Sequence, residues 1–251
     1  MRRVAALLLA GLAWLPGTSL AQTSGFDSVE ISGSATVRFT QGAAEQVRVE
    51  GDEDAQKSVD LEVRNGVLHI RPGGSWKFWS GERTRIDITA RELKRVSISG
   101  AADFSAPQAV QCDKLDLNIS GSGLARFDSL KADSLRFRVS GAGDGQIAGS
   151  VNELQIVVSG RGEFRGENLL SQRAKVVVNG IGDVRVWAAQ WLGVNVSGVG
   201  TVDYWGTPLV ERHSSGVARI NERGPKPMPV SPPAVPAAPA SPAPPAPPAR
   251  P

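Results

Sequence analysis

The sequence predicts an all-β protein, a parallel β-solenoid, and three observations predict it. Ser-Gly or Asn-Gly recurs at 32, 99, 120, 140, 159, 179, 197 and 215, and after a first gap of 67 residues the spacing stays between 18 and 21. Apolar and polar residues alternate on both sides of each dipeptide. No unit carries the 3.6-residue periodicity of an amphipathic helix. A fixed period near 20 residues marks a repeat architecture: one unit cannot bury its apolar face alone, and stacked units can.

The register follows when the Ser or Asn is set as position zero. Position −1 is then Ile98, Ile119, Val139, Val158, Val178 and Val196, and position −3 is Val96, Leu117, Phe137, Ile156, Val176 and Val194. Between them stand mostly polar residues such as Asn118, Arg138 and Asn195. Beyond the glycine the alternation resumes, with Phe104, Ala125, Gly145, Phe164, Val184 and Val202 at +5. Each unit therefore reads as strand, glycine corner, strand, short turn. Strands stacked at about 4.8 Å would align the Ser/Asn residues into a polar ladder. The corner glycines are expected there for positive φ and for close backbone approach. A right-handed β-helix is the expected form of the coil.

Residues 34–95 break the period. They hold alternating runs at 36–40, 46–50, 61–70 and 83–89, with Asn65-Gly66 inside the third. Asn-Gly between alternating runs signals a type I′ hairpin. The segment is expected to be an antiparallel insertion that caps one end of the solenoid, because an open coil end templates aggregation. At the other end Glu211–Arg223 is an imperfect, polar copy of the unit, consistent with a second capping rung.

The two termini differ from this body. Arg2 and Arg3 precede a mostly apolar run from Val4 to Leu15, and Ser19 and Ala21 occupy the −3 and −1 positions of a cleavage site. That is a secretory signal peptide over residues 1–21. Twelve apolar residues fall short of the roughly 20 that span a bilayer, so no integral membrane segment is expected after cleavage. From Pro225 onward 13 of 27 residues are Pro and seven are Ala. Pro lacks the N–H and fixes φ, so this segment is expected to be a disordered, polyproline-II-like tail. The organisation is thus 1–21 signal peptide, 22–95 first coil with antiparallel insertion, 96–224 solenoid repeats, and 225–251 tail.

Charge and cysteine content narrow the function. The chain carries a net charge of +3, yet residues 22–224 hold 24 of the 28 Lys/Arg against all 25 Asp/Glu. The basic balance lies at the ends, which argues against a nucleic-acid-binding body. A single cysteine, Cys112, excludes an internal disulfide framework and a multi-cysteine metal site.

The recurrent Val-x-Ile/Val-Ser-Gly-x-Gly-Asp pattern, with an Asn-Gly hairpin upstream and a signal peptide, resembles the GIN-type head domain over roughly residues 26–221. That family is described as an auto-transporter adhesin head of secreted bacterial proteins. The resemblance implies a β-helical fold and supplies no catalytic residues.

Candidate chemistry is sparse. Gly141-Ala-Gly143-Asp144-Gly145 imitates a phosphate loop, but no helix follows and the glycines recur in every unit. Position +4 carries Asp103, Asp144, Glu163 and Asp183, and position +6 carries Arg126, Arg165 and Arg185 on the same outward face. An acid–base ladder is the simpler reading, and a divalent-cation or glycan-binding stripe is the alternative. Trp76, Phe78 and Trp79 sit in a Gly/Ser-flanked stretch of the insertion, either plugging the solenoid end or offering flat apolar area to a sugar or protein. Trp187, Trp191, Tyr204 and Trp205 are expected to fill the far end of the core. His69 and His213 stand far apart without a partnering motif. No catalytic residue, metal site or cofactor is expected. The reading is an exported, non-enzymatic module, periplasmic or at the cell surface, that binds a cell-envelope polysaccharide or protein. A self-assembling structural solenoid and a polysaccharide-acting β-helix enzyme are the alternatives.

Overall fold

The structure is a computed structural model and describes residues 25–50, 57, 59–73 and 84–226. Residues 1–21, expected to be a signal peptide, the aromatic residues Trp76, Phe78 and Trp79, and the Pro/Ala segment beyond Lys226 lie outside the described residues.

Among the described residues fifteen strands form a single sheet that coils on itself. The regular part runs through β7 (Arg95–Ile98), β8 (Ala101–Ile119), β9 (Ser122–Val139), β10 (Ala142–Val158), β11 (Arg161–Val178), β12 (Ile181–Val196) and β13 (Val199–Trp205). Each pairs in parallel with the next, giving about six turns. The pairing joins equivalent repeat positions: Leu117 faces Phe137, which faces Ile156, then Val176 and Val194. The alternating apolar residues thereby meet on the inside. Phe39, Phe104, Phe127, Phe137 and Phe164 are fully buried, and their rings contact in pairs at 5.0–6.1 Å between centroids.

One expected feature is absent. The segment read as a short turn between units is continuous strand, so β8 to β12 each carry the second half of one turn and the first half of the next. The chain bends there through register shifts, for example between Ala106 and Ala109. A bulge adds a residue and re-aims the strand while the ladder continues on either side of it.

The Ser/Asn-Gly dipeptides are the corners. The carbonyl of each corner glycine accepts a backbone N–H from the turn stacked on it: Ser122 to Gly100 at 2.8 Å, Ala142 to Gly121 at 2.9 Å, Arg161 to Gly141 at 2.9 Å. A Cβ on Gly121, Gly141, Gly160, Gly180 or Gly198 would lie 2.0–2.2 Å from the corner carbonyl of the neighbouring turn. None of these glycines has positive φ, which corrects half of the sequence expectation. Close stacking requires glycine there, and backbone conformation does not.

The N-terminal end is built out of order. β1 (Ser28–Ile31) and β2 (Ser34–Gln41) form a turn that pairs with β7 and β8 on one side. The chain then passes through β3 (Gln46–Glu50) and β4 (Val59–Arg64) before β5 (Val67–Pro72) and β6 (Thr84–Ala90) stack on the other side of β1 and β2. β4 pairs antiparallel with β5, and β3 antiparallel with β6, so the end of the coil is covered. The hairpin turns at Asn65 (φ 51°) and Gly66 (φ 76°), the double positive φ of a type I′ turn. Its two residues fit because Asn and Gly both tolerate the left-handed region.

At the far end β14 (Leu209–Ser214) pairs with β12, and β15 (Val217–Glu222) with β13. Inward positions of this last turn are mixed: Val210, Ala218 and Ile220 pack against the core, and charged residues take two of the others. Arg212 is aligned with Val194, and Glu222 with Tyr204. Arg212 donates to the Tyr204 hydroxyl at 3.2 Å, which donates to Glu222 at 3.1 Å. Inward-pointing charges blunt an edge because a further strand would have to bury them.

Two predictions follow from these ends and corners. Gly141→Ala places a methyl against the Gly121 carbonyl and should destabilise by about 1–3 kcal/mol; a thermal melt unchanged from wild type contradicts the stacking argument. The double change Arg212→Val with Glu222→Ile should make the far end adhesive, seen as concentration-dependent growth in light scattering that the wild type lacks.

Candidate functional site

The outward positions form rows across the turns, because register is kept from turn to turn. At +4 and +6 the expected acid–base ladder forms around Glu163, while Arg126 pairs instead with Asp128 at 2.7 Å. Arg165 donates to Glu163 at 2.6 Å, Arg185 lies 3.3 Å from the other Glu163 oxygen, and the Glu163 N–H donates to Asp144 at 2.9 Å. Two turns on, Asp203 accepts from Arg223 and Asn221, both at 2.9 Å. The Arg165 guanidinium holds the Glu163 carboxyl below its ordinary 4.5, with Arg185 adding to the effect against a burial penalty. Burial would raise the Asp203 carboxyl, but Arg223, Asn221 and Arg185 outweigh it and leave it lowered. These acids are occupied by neighbouring cations.

Near the N-terminal cap the pattern differs. Asp87 stands in register with Arg38 on one side and Arg48 on the other. Burial and the adjacent Glu50 carboxylate push the Asp87 carboxyl up.

A second set of rows lies on the side that runs from Leu115 to Ile119. Position −6 reads Lys114, Ser134, Glu153, Arg173, Trp191 and Leu209 across successive turns. Position −4 reads Asp116, Arg136, Gln155, Lys175, Gly193 and Glu211. From Lys114 and Asp116 to Lys175 and Trp191 these rows line an open groove of about 810 Å³. Trp191 is therefore an outward residue, contrary to its expected place in the core. Tyr204 is buried in the core as expected, whereas Trp187 is buried outside the core cluster beside the half-buried Trp205. Trp187 and Trp205 hold the Lys226 ammonium, 5.1 and 5.9 Å from their ring centroids, and Lys226 also donates to Asn168 at 2.8 Å.

The remaining candidates stay apart. His69 pairs with Glu30 at 3.2 Å within the N-terminal turns, and His213 is exposed on β14. Cys112 is half-buried, and burial with Asp113 nearby pushes its thiol up to about 11, so it stays protonated at neutral pH. Among the described residues no group of three or more His, Cys, Asp or Glu is placed to hold a metal, and no helix is long and apolar enough to cross a membrane.

The coil, its glycine corners and its capped N-terminal end are those of a known family. A family model described as "Putative auto-transporter adhesin, head GIN domain" matches residues 25–208. The chain belongs to that family. Solved structures share the GIN-domain coil. A "putative adhesin" from Bacteroides fragilis NCTC 9343 superposes with a TM-score of 0.77 at 22% identity, over 82% of this chain and 95% of that one. A "putative adhesin" from Parabacteroides merdae ATCC 43184 gives 0.62 at 20% identity, over 84% and 96%. A "putative lipid binding protein" from Parabacteroides distasonis ATCC 8503 gives 0.62 at 20% identity, over 82% and 96%. At these identities the likeness establishes the fold. No protein of curated function matches the GIN-domain chain in sequence.

The ladder sets a pH dependence. A depressed carboxyl stabilises the fold fully above its ordinary value and loses that contribution as pH falls through the folded-state value. Glu163→Gln should therefore cost about 0.2–1 kcal/mol at pH 7, an exposed-pair magnitude, and the difference from wild type should shrink below pH 4.5. Urea titrations at pH 7 and pH 3 check it; a difference that grows on acidification contradicts the ladder.

Proposed function

We propose that this GIN domain is an exported, non-enzymatic adhesin-like module that binds a cell-envelope polysaccharide or protein by surface contact. Family membership supports an adhesin-like role. The observation that carries the non-enzymatic reading is the engagement of the outward acids. Glu163 and Asp203 are neutralised by Arg165, Arg185 and Arg223 on the same face, which suits a rigid display surface better than a poised acid–base pair. The signal-peptide pattern of residues 1–21 supports export.

The aromatic residues Trp76, Phe78 and Trp79 remain a contact candidate for a positional reason. β5 ends at Pro72 and β6 begins at Thr84, and these two strands stack on β1 and β2, where the chain turns through Ser32-Gly33 alone. The three aromatic residues fall in the stretch of sequence that links these two strands. Connections between strands carry contact residues more often than the strands they join.

A pull-down of cell-wall and envelope fractions with residues 22–251 tests the reading. Capture of a polysaccharide or envelope protein by wild type, weakened in Trp76→Ala/Trp79→Ala, is the expected result. Capture of nothing by the wild type defeats the binding-module reading. Turnover of a polysaccharide substrate, followed by reducing-end release, defeats the non-enzymatic part.

A further inference from the structure

We propose that the groove along the −6 and −4 rows binds an acidic polysaccharide, with Trp191 as its stacking platform. This deepens the binding-module reading and rests on it.

The indole is built into its position. It lies over the backbone two residues on, where a Cβ at Gly193 would come within 2.3 Å of Cη2 and 2.7 Å of Cζ2. The other residues of the −4 row all carry side chains that would lift the ring, so the glycine lets it lie down on the sheet. The Trp191 Nε1–H donates to Glu211 at 2.9 Å, and the Arg173 guanidinium carbon stands 5.8 Å from the ring centroid. Three contacts thus hold a flat aromatic surface at the margin of the groove. The apolar C–H face of a pyranose stacks on such a surface, and a ring fixed in advance loses little entropy on binding.

The groove carries four cations, Lys114, Arg136, Arg173 and Lys175, against three acids, Asp116, Asp133 and Glu153, and the two cations nearest the ring point to an anion. Glu211 is engaged by the indole N–H. Arg136 offsets Asp116 at 3.5 Å and donates to Gln155 at 2.9 Å. Glu153 is the neighbour of Arg173 in its row. Lys175 adjoins Gly193 in register and has no ion-pair partner among the described residues. A ligand carboxylate would supply one.

Geometry favours a polysaccharide over a peptide. A peptide strand adds to a free sheet edge, and the backbone here is committed to parallel ladders on both sides from β8 to β12. Side chains alone are on offer, repeated every turn at about 4.8 Å. A sugar unit of an extended chain has a similar length, so successive units meet equivalent positions on successive turns.

Isothermal titration of residues 22–251 with polygalacturonate and with its methyl ester tests the proposal. Wild type should bind the acid form, and the neutral ester should bind about tenfold or more weakly. Trp191→Ala and Lys175→Glu should each lose about tenfold or more, as a stacking ring or a paired charge is worth. Both residues face outward, so circular dichroism should be unchanged. Lys131→Glu, outside these two rows, should bind as wild type does. Undiminished binding by Trp191→Ala and Lys175→Glu overturns the proposal, as does equal affinity for the ester or no polymer binding at all. Loss confined to Trp76→Ala/Trp79→Ala also overturns it and leaves the binding-module reading standing, as does envelope capture without polygalacturonate binding.

Discussion

Each turn of this solenoid presses its corner backbone onto the corner beside it, and the rest of the structure depends on that contact. The corner carbonyl accepts the N–H of the next turn at 2.8–2.9 Å, and the same carbonyl would meet any Cβ on the next corner glycine at about 2 Å. One geometry therefore both forms the hydrogen bond and forbids a side chain. Because every corner is pinned in this way, register cannot slip between turns, and a slip by one residue would turn the whole apolar set outward. The inward column of Phe, Val, Ile and Leu and the outward rows of charge are both consequences. Arg165 and Arg185 at +6 meet Glu163 at +4 of the same and the adjoining turn because the corners hold the turns in step.

Much of this architecture was legible in the sequence, since the constraint is periodic and glycine marks it. The Ser/Asn-Gly spacing located the corners, the period-two alternation located the inner face, and Asn65-Gly66 located the hairpin. The reason for the corner glycines was half legible. Sequence shows that a side chain is excluded but not what excludes it, and here it is a neighbouring carbonyl and not a left-handed φ. The continuous strands of β8 to β12 were hidden because a bulge breaks the alternation that betrays a strand, so Ala106–Ala109 reads as a turn. The order of turns at the N-terminal end was hidden as well. Nothing local records that β5 and β6 stack on β1 and β2 while β7 and β8 take the other side.

Trp191 shows how parity should have been used. It stands six residues before Ser197, an even offset shared with the outward residues at −2 and −4, and Gly193 follows at −4. Tryptophan invites a core assignment by its size, and that bias outweighed the count. Trp187 obeys the same count. It is eight residues after Asn179, also an even offset, and though buried it lies outside the core cluster, in register with Trp205 and against Lys226.

The same rigidity bears on what the surface can do. A solenoid whose turns cannot slide is a poor machine for closing over a substrate, but it displays side chains at fixed intervals along a line. Recognition by such a surface draws on many weak contacts in register, and its strength grows with the number of turns engaged. The two ends then acquire a role beyond stability. Antiparallel β3 and β4 close one, and Arg212 with Glu222 make the other costly to extend, so the number of turns on display is fixed by the chain itself. End blunting that prevents aggregation also sets the size of the display.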